Sequence, residues 1–228
     1  MLRHLLLTAV AGLCFTTASA RADGSGLALL YDQSVVSGGT SGGASPTQHA
    51  STFSVQLADD FVVDDDAGWT INQFAFAITF TDPNGTPPGQ PPYDIFVYPD
   101  AAGLPAASAA CEYPATPGTF DSTLPGGQIN VTVPLAPACF LPPGQYWVQV
   151  SPVLDVPYSL WGYNTTASAV LHEPVFRNPD DSYETGCTGW TVISACLPNP
   201  SGGTPNLQFQ VFGSIGAGDS IFADGFDG

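Results

Sequence analysis

The sequence contains no lysine, and its only strongly basic residues are Arg3, Arg21 and Arg177, against 20 acidic residues and a formal net charge of −17. Binding to a phosphate backbone depends on Lys and Arg displacing condensed counterions, so nucleic acid is excluded as a partner and an anionic lipid surface is strongly disfavoured. Charge of either sign is scarce: charged residues make up 10% of the chain, whereas hydrophobic residues make up 44% and aromatics 11%. That balance is too apolar for a disordered acidic chain. Uninterrupted helical pattern is missing as well, since 25 Gly and 22 Pro in 228 residues break the chain too often for a helical bundle or coiled coil. An all-β domain remains, and the length suits one large β unit. No stretch after residue 20 is long and apolar enough to span a bilayer, which argues against a transmembrane segment.

What is present begins with an export pattern. Arg3 and His4 precede an apolar run over residues 5–15, followed by Ala18-Ser19-Ala20. This is the order of a secretory signal with a small-residue cleavage site, so residues 1–20 are set aside from the fold and a secreted, extracellular or periplasmic location is expected. Removing the signal removes Cys14 and leaves Cys111, Cys139, Cys187 and Cys196, an even set in an oxidising compartment. Four cysteines allow three connectivities. Pairing Cys111 with Cys139 and Cys187 with Cys196 is favoured because each pair brackets one local excursion, and each closure is worth about 2.5 to 3.5 kcal/mol in the loop-entropy model. Zinc is excluded by spacing: there is no C-x2-C, and the only histidines beyond the signal are His49 and His172.

The remaining chain divides into a flexible N-terminal segment with a first strand (21–52), a β domain (53–213), and a linker with an acidic, aromatic tail (214–228). Alternation of apolar residues marks the strands. Phe53, Val55 and Leu57 alternate ahead of Asp59-Asp60-Phe61-Val62-Val63, and the acidic run Asp64-Asp65-Asp66-Ala67-Gly68 predicts a hairpin-like reversal. Phe74, Phe76, Ile78 and Phe80 form the clearest core-facing stripe. Further strands are expected at 93–98, 129–133, 145–150, 158–163, 169–176, 190–193 and 207–212, whereas 99–127 reads as loop. In the segment 145–150, Trp147 is out of phase with Tyr146, Val148 and Val150. About nine strands with frequent turns predict an all-β, two-sheet antiparallel β-sandwich, jelly-roll-like and stapled by disulfides.

The chemistry-bearing patterns are weak. Gly39-Thr40-Ser41-Gly42-Gly43 matches a nucleophile elbow but lacks the strand before it and the helix after it, so it reads as a Gly/Ser loop. His172-Glu173 and His49 offer the only imidazoles for base work, and nothing in the sequence aligns either with a nucleophile. No catalytic residue is assigned and no enzyme is expected. Asp59, Asp60, Asp64 and Asp66 around one expected turn, and Asp180 and Asp181 around another, are candidate calcium ligands because calcium takes six to eight hard oxygens. The simpler reading is solvated acidic turns with no cofactor, Arg177 pairing with Asp180 or Asp181. Trp161 and Trp190 are the candidate sugar-stacking aromatics, against a simpler reading as packed rings.

Two resemblances add location. The ending Ile221-Phe222-Ala223-Asp224-Gly225-Phe226-Asp227 resembles the "IFADGFE"-type tails of secreted proteins of the Xanthomonas and Lysobacter group, which implies an exported bacterial protein. The succession Asp59-Asp60-Phe61-Val62-Val63, Trp69-Thr70-Ile71, Gly103-Leu104-Pro105, Leu141-Pro142-Pro143-Gly144-Gln145-Tyr146-Trp147-Val148, Trp161-Gly162, Arg177-Asn178-Pro179 and Leu207-Gln208-Phe209 resembles an uncharacterised bacterial extracellular β-sandwich domain. That implies fold and location and no activity. The expected function is a secreted, non-catalytic binding or structural module with an extracellular glycan or cell-surface protein as partner. The alternatives are a calcium-stabilised carbohydrate-binding module and a secreted hydrolase.

Overall fold

The alternating segments sort into two antiparallel sheets that face each other across one core. The computed structural model describes residues 26–34, 43–44, 55–81, 90–121, 128–153, 160–163, 171–196 and 206–216, with backbone alone at 43–44, 78–81, 121, 128 and 160–163. In chain order the elements are β1 (Ala28–Asp32), β2 (Gly43–Ala44), β3 (Gln56–Val63), β4 (Trp69–Thr81), β5 (Pro92–Pro99), β6 (Cys111–Pro117) and β7 (Thr119–Asp121). There follow β8 (Gln128–Leu141), β9 (Gly144–Pro152), β10 (Leu160–Tyr163), β11 (Val175–Arg177), β12 (Thr191–Val192), one helical turn α1 (Ile193–Cys196) and β13 (Phe209–Ile215). The first sheet runs β1-β13-β4-β10-β2, with β8 also paired to β4 and β7 to β8, and the second runs β12-β11-β3-β9-β5-β6. Candidates and segments at 1–20, 37–42, His49 and the tail 217–228 lie outside the described residues.

The core is made by one face of each sheet. Phe61 on β3 stacks on Trp69 at 6.3 Å and meets Phe74 and Phe209 edge-on at 6.3 and 6.2 Å, which ties the second sheet to β4 and β13 of the first. Burying each such ring contributes about 1.5 to 3 kcal/mol. In β4 the buried residues change phase, from Trp69 and Ile71 to Phe74 and Phe76. A bulge makes this work: Ile71 pairs Gly213 and Gln73 pairs Phe212, which leaves Asn72 as the extra residue. One inserted residue reverses which face a strand's side chains take, so both halves of β4 point inward. On the bulged stretch β13 passes so near that a Cβ on Gly213 would lie 2.0 Å from the Thr70 carbonyl oxygen.

Several sequence expectations change. The acidic run after β3 does not close a hairpin, because β3 belongs to the second sheet and β4 to the first, so the turn carries the chain from one sheet to the other. Gly68 makes that turn with a positive φ of 75° and donates its N–H to the Asp65 carbonyl. Residues 99–127 hold two strands, β6 and β7, hidden in the sequence by Pro114 and Pro117. Proline is tolerated there because β6 is the edge of its sheet. Of the expected strand at 169–176, residues 171–174 are not strand and Val175–Arg177 is, residues 169–170 lying outside the described ones, and Ile193–Cys196 is a helical turn. Two disulfides are formed. Cys111 on β6 joins Cys139 on β8 and so links the two sheets, while Cys187–Cys196 closes a local loop beside β11 and β12.

Candidate functional site

The side of the second sheet turned away from the core carries most of the polar and aromatic groups that invite a role. Register builds it as a grid. Asp60 on β3 lies opposite Trp147 on β9, and Trp147 opposite Tyr98 on β5. In the next row Val175, Ala58, Gln149 and Phe96 stand side by side, and beyond them Arg177 lies opposite Gln56. Alternation dictates this set, since Leu57, Phe61, Tyr146, Val148, Ile95 and Val97 on the same strands are taken by the core. Ala58, Tyr98, Trp147 and Val175 form a small second cluster, covered in part by Phe96, Leu104, Ala109 and Trp190.

Asp60 anchors one end. His172 Nδ1 lies 2.7 Å from Asp60 Oδ2, and the His172 backbone N–H reaches both carboxylate oxygens at 3.3 Å. Gln145 Nε2 donates to Oδ2 at 2.6 Å and also lies 2.7 Å from His172 Nδ1. Burial raises the Asp60 pKa, and the His172 and Gln145 hydrogen bonds oppose that rise. The imidazole stacks on Trp147 with centroids 5.9 Å apart, and Trp147 Nε1 donates to Asp100 Oδ1 at 2.8 Å. Asp100 also accepts the Gly103 N–H, which folds the 100–105 turn against the imidazole edge. The His172 side chain is 48% exposed and that of Asp60 only 2%. A buried carboxylate on one ring nitrogen orients the imidazole as in a general base, with the Nε2 edge facing Gly103. Among the described residues, however, no hydroxyl or thiol is hydrogen-bonded to Nε2.

Trp190 and Arg177 form the other end. The Arg177 guanidinium carbon sits 4.2 Å above the Trp190 ring, and Trp190 meets Tyr98 edge-on at 6.0 Å. Arg177 Nε donates to Gln56 Oε1, and the Tyr98 hydroxyl lies beside the guanidinium. The small Ala58 between the rows leaves room for these long side chains to meet. Burial lowers the Arg177 pKa, with Tyr98 opposing, and burial raises that of Tyr98. The expected pairing of Arg177 with Asp180 or Asp181 is not formed: Asp181 Oδ1 accepts the Gly186 N–H at 2.8 Å instead, and Asp180 is exposed.

The acidic candidates are scattered. Asp59 and Asp60 are strand residues rather than turn residues, and alternation sends them to opposite faces. Asp59 points into the core, where Oδ2 accepts Gln33 Nε2 and the Leu207 N–H, both at 2.7 Å, and Oδ1 accepts the Asp60 N–H. Tyr31 donates to Gln33 Oε1 at 2.7 Å, completing a polar tie between β1 and β3. Burial pushes the Asp59 carboxyl well above the ordinary range, against those three donors. Asp64 and Asp66 are exposed in the turn, where Asp65 caps the Ala67 N–H. Among the described residues no three His, Cys, Asp or Glu side chains are grouped to hold a metal ion. Trp161 lies on β10 opposite Phe80, and its side chain is outside the described residues.

The sandwich class therefore rests on the sheets themselves. No family model and no curated protein matches the chain. Among solved structures it is similar to the cysteine protease and lectin-like domains of Cwp84, a surface layer associated protein of Clostridium difficile, at 14% identity and a TM-score of 0.44. That match covers 69% of this chain and 31% of the other.

Proposed function

We propose that this chain is a secreted, non-catalytic binding module whose ligand face is the outer side of the second sheet, between His172 and Trp190. The observation that carries the reading is the convergence there of Trp190, Arg177, Tyr98, Gln56, Gln145 and the Asp60–His172 pair, on a sheet face partly roofed by loops. Aromatic planes beside amides and charged groups suit a glycan or the surface of another protein. The signal-like start and the paired cysteines support export. Calcium stabilisation is the weaker variant, because the acidic candidates do not converge. The Asp60–His172 pair alone favours the hydrolase reading, and no described hydroxyl or thiol is hydrogen-bonded to Nε2. The test is a pull-down of the exported protein on insoluble polysaccharides and cell-wall preparations, with calcium and with chelator. Saturable retention on one material in both conditions is expected, and retention on none contradicts the proposal.

A further inference from the structure

We infer that Arg177 is a carboxylate-binding subsite within the proposed ligand face, and that the ligand is an acidic sugar carrying one carboxylate on an otherwise neutral body. The inference rests on the binding reading above and adds the chemical class. Arg177 is the only Lys or Arg beyond residue 21, in a chain with 20 acidic residues. In such a chain a lone guanidinium has many carboxylates to choose from. Among the described residues it takes none: its Nε goes to the neutral Gln56, its flat face to Trp190, and its flank to Tyr98.

The guanidinium hydrogen-bonds the Tyr98 hydroxyl, no described carboxylate pairs with it, and Arg177 is half-buried rather than enclosed. A guanidinium fixed through Nε and held over an indole keeps its outer edge free for two parallel N–H···O bonds, the geometry that carboxylates match. The Trp190 Nε1 beneath it is buried and has no acceptor, so its signal reports on anything that shifts the ring or the guanidinium above it.

The rest of the charge limits the ligand. A net charge of −17 repels a polyanion, whereas one carboxylate beside Arg177 feels the near cation more than the screened remainder. The half-buried Gln56 and Trp190 then meet a polar, uncharged body, as the hydroxyls and C–H face of a sugar provide.

The experiment is an NMR titration of the 15N-labelled exported protein with sodium glucuronate and, separately, with the uncharged methyl ester of the same acid. The Arg177 Nε–H signal is assigned by its loss in Arg177→Lys. Saturable shifts of the Arg177 Nε–H and Trp190 Nε1–H signals with glucuronate are expected, at least tenfold weaker with the ester. Arg177→Gln should abolish the Trp190 Nε1–H shift while the remaining spectrum keeps its folded dispersion, and Arg177→Lys should weaken that shift. Equal saturable response to acid and ester overturns the carboxylate subsite and leaves the binding face standing. No saturable response to glucuronate in the unmodified protein overturns the inference outright, while the pull-down decides the face by itself.

Discussion

Removing the two disulfides one at a time should produce losses of different size and different kind. Cys111–Cys139 spans a sequence separation of 28 and joins β6 of one sheet to β8 of the other. Loop-entropy arithmetic assigns it about 3.5 kcal/mol at 25 °C, against about 2.5 kcal/mol for Cys187–Cys196, whose separation is 9. For a domain of this size each kcal/mol shifts Tm by about 2 to 4 °C, so the Cys111→Ala/Cys139→Ala protein should melt roughly 7 to 14 °C lower. Its loss is global, because the bond holds the two sheets together. The Cys187→Ala/Cys196→Ala protein should lose less and fail locally, since the bond closes only the loop that carries Trp190 over Tyr98 and Arg177. Urea melts followed by circular dichroism measure the first effect, and acrylamide quenching of tryptophan fluorescence before the melt measures the second. The reasoning is refuted if the 111–139 variant loses under about 1 kcal/mol, or if it is the variant whose tryptophans become accessible without global loss.

Three further outcomes follow from single positions. Because burial raises the Asp59 carboxyl, the folded chain keeps a proton that the unfolded chain releases near the ordinary Asp value. Its stabilising contribution is therefore complete at pH below that value and is lost as pH rises through the folded one, so Asp59→Asn should flatten the pH profile of urea stability relative to the unmodified protein. Parallel profiles would count against it. Gly213→Ala should destabilise by about 1 to 3 kcal/mol in the same melts, since its Cβ would meet the Thr70 carbonyl at the β4 bulge. Trp147→Phe removes the donor to Asp100 and should cost about 1 to 3 kcal/mol, with the 100–105 turn losing hydrogen-exchange protection first.

The fold was legible where side-chain alternation is uninterrupted. Phe74 and Phe76, or Tyr146, Val148 and Val150, declare their faces directly, and Trp147, out of phase with its neighbours, was already marked for the other side. Legibility failed where backbone geometry decides. The sequence does not show that Asn72 is an inserted bulge residue, nor that Pro114 and Pro117 are tolerated because β6 is an edge. The acidic run after β3 reads as a hairpin because turn chemistry is local, whereas which sheet each flanking strand joins depends on partners far along the chain.

The candidate site was less legible for the same reason. Asp59 and Asp60 look like one acidic pair, and only their places on a strand reveal that one is a core carboxylate and the other an outward partner of His172. His172 lies 112 residues from Asp60, and Gln145 lies 85 away, so no spacing pattern could join them. Arg177 was assigned to the nearest acids in sequence, yet strand register sets it beside Gln56, and the Cys187 loop brings Trp190 beneath it. Trp190 stands out in the sequence only as a candidate stacking ring, and its contacts with Tyr98 and Arg177 are set by the fold.

The most direct measurement compares binding isotherms, on whichever polysaccharide retains the protein, for Trp190→Ala, Trp161→Ala and Phe140→Ala. Phe140 is 46% exposed on β8 of the first sheet and serves as the control for the opposite side, while Trp161→Ala tests the other candidate ring, whose strand β10 belongs to the first sheet. The account predicts at least a tenfold loss of affinity for Trp190→Ala and none for the other two. Loss confined to Trp161→Ala or Phe140→Ala, with Trp190→Ala binding normally, would place the ligand on the first sheet and contradict it.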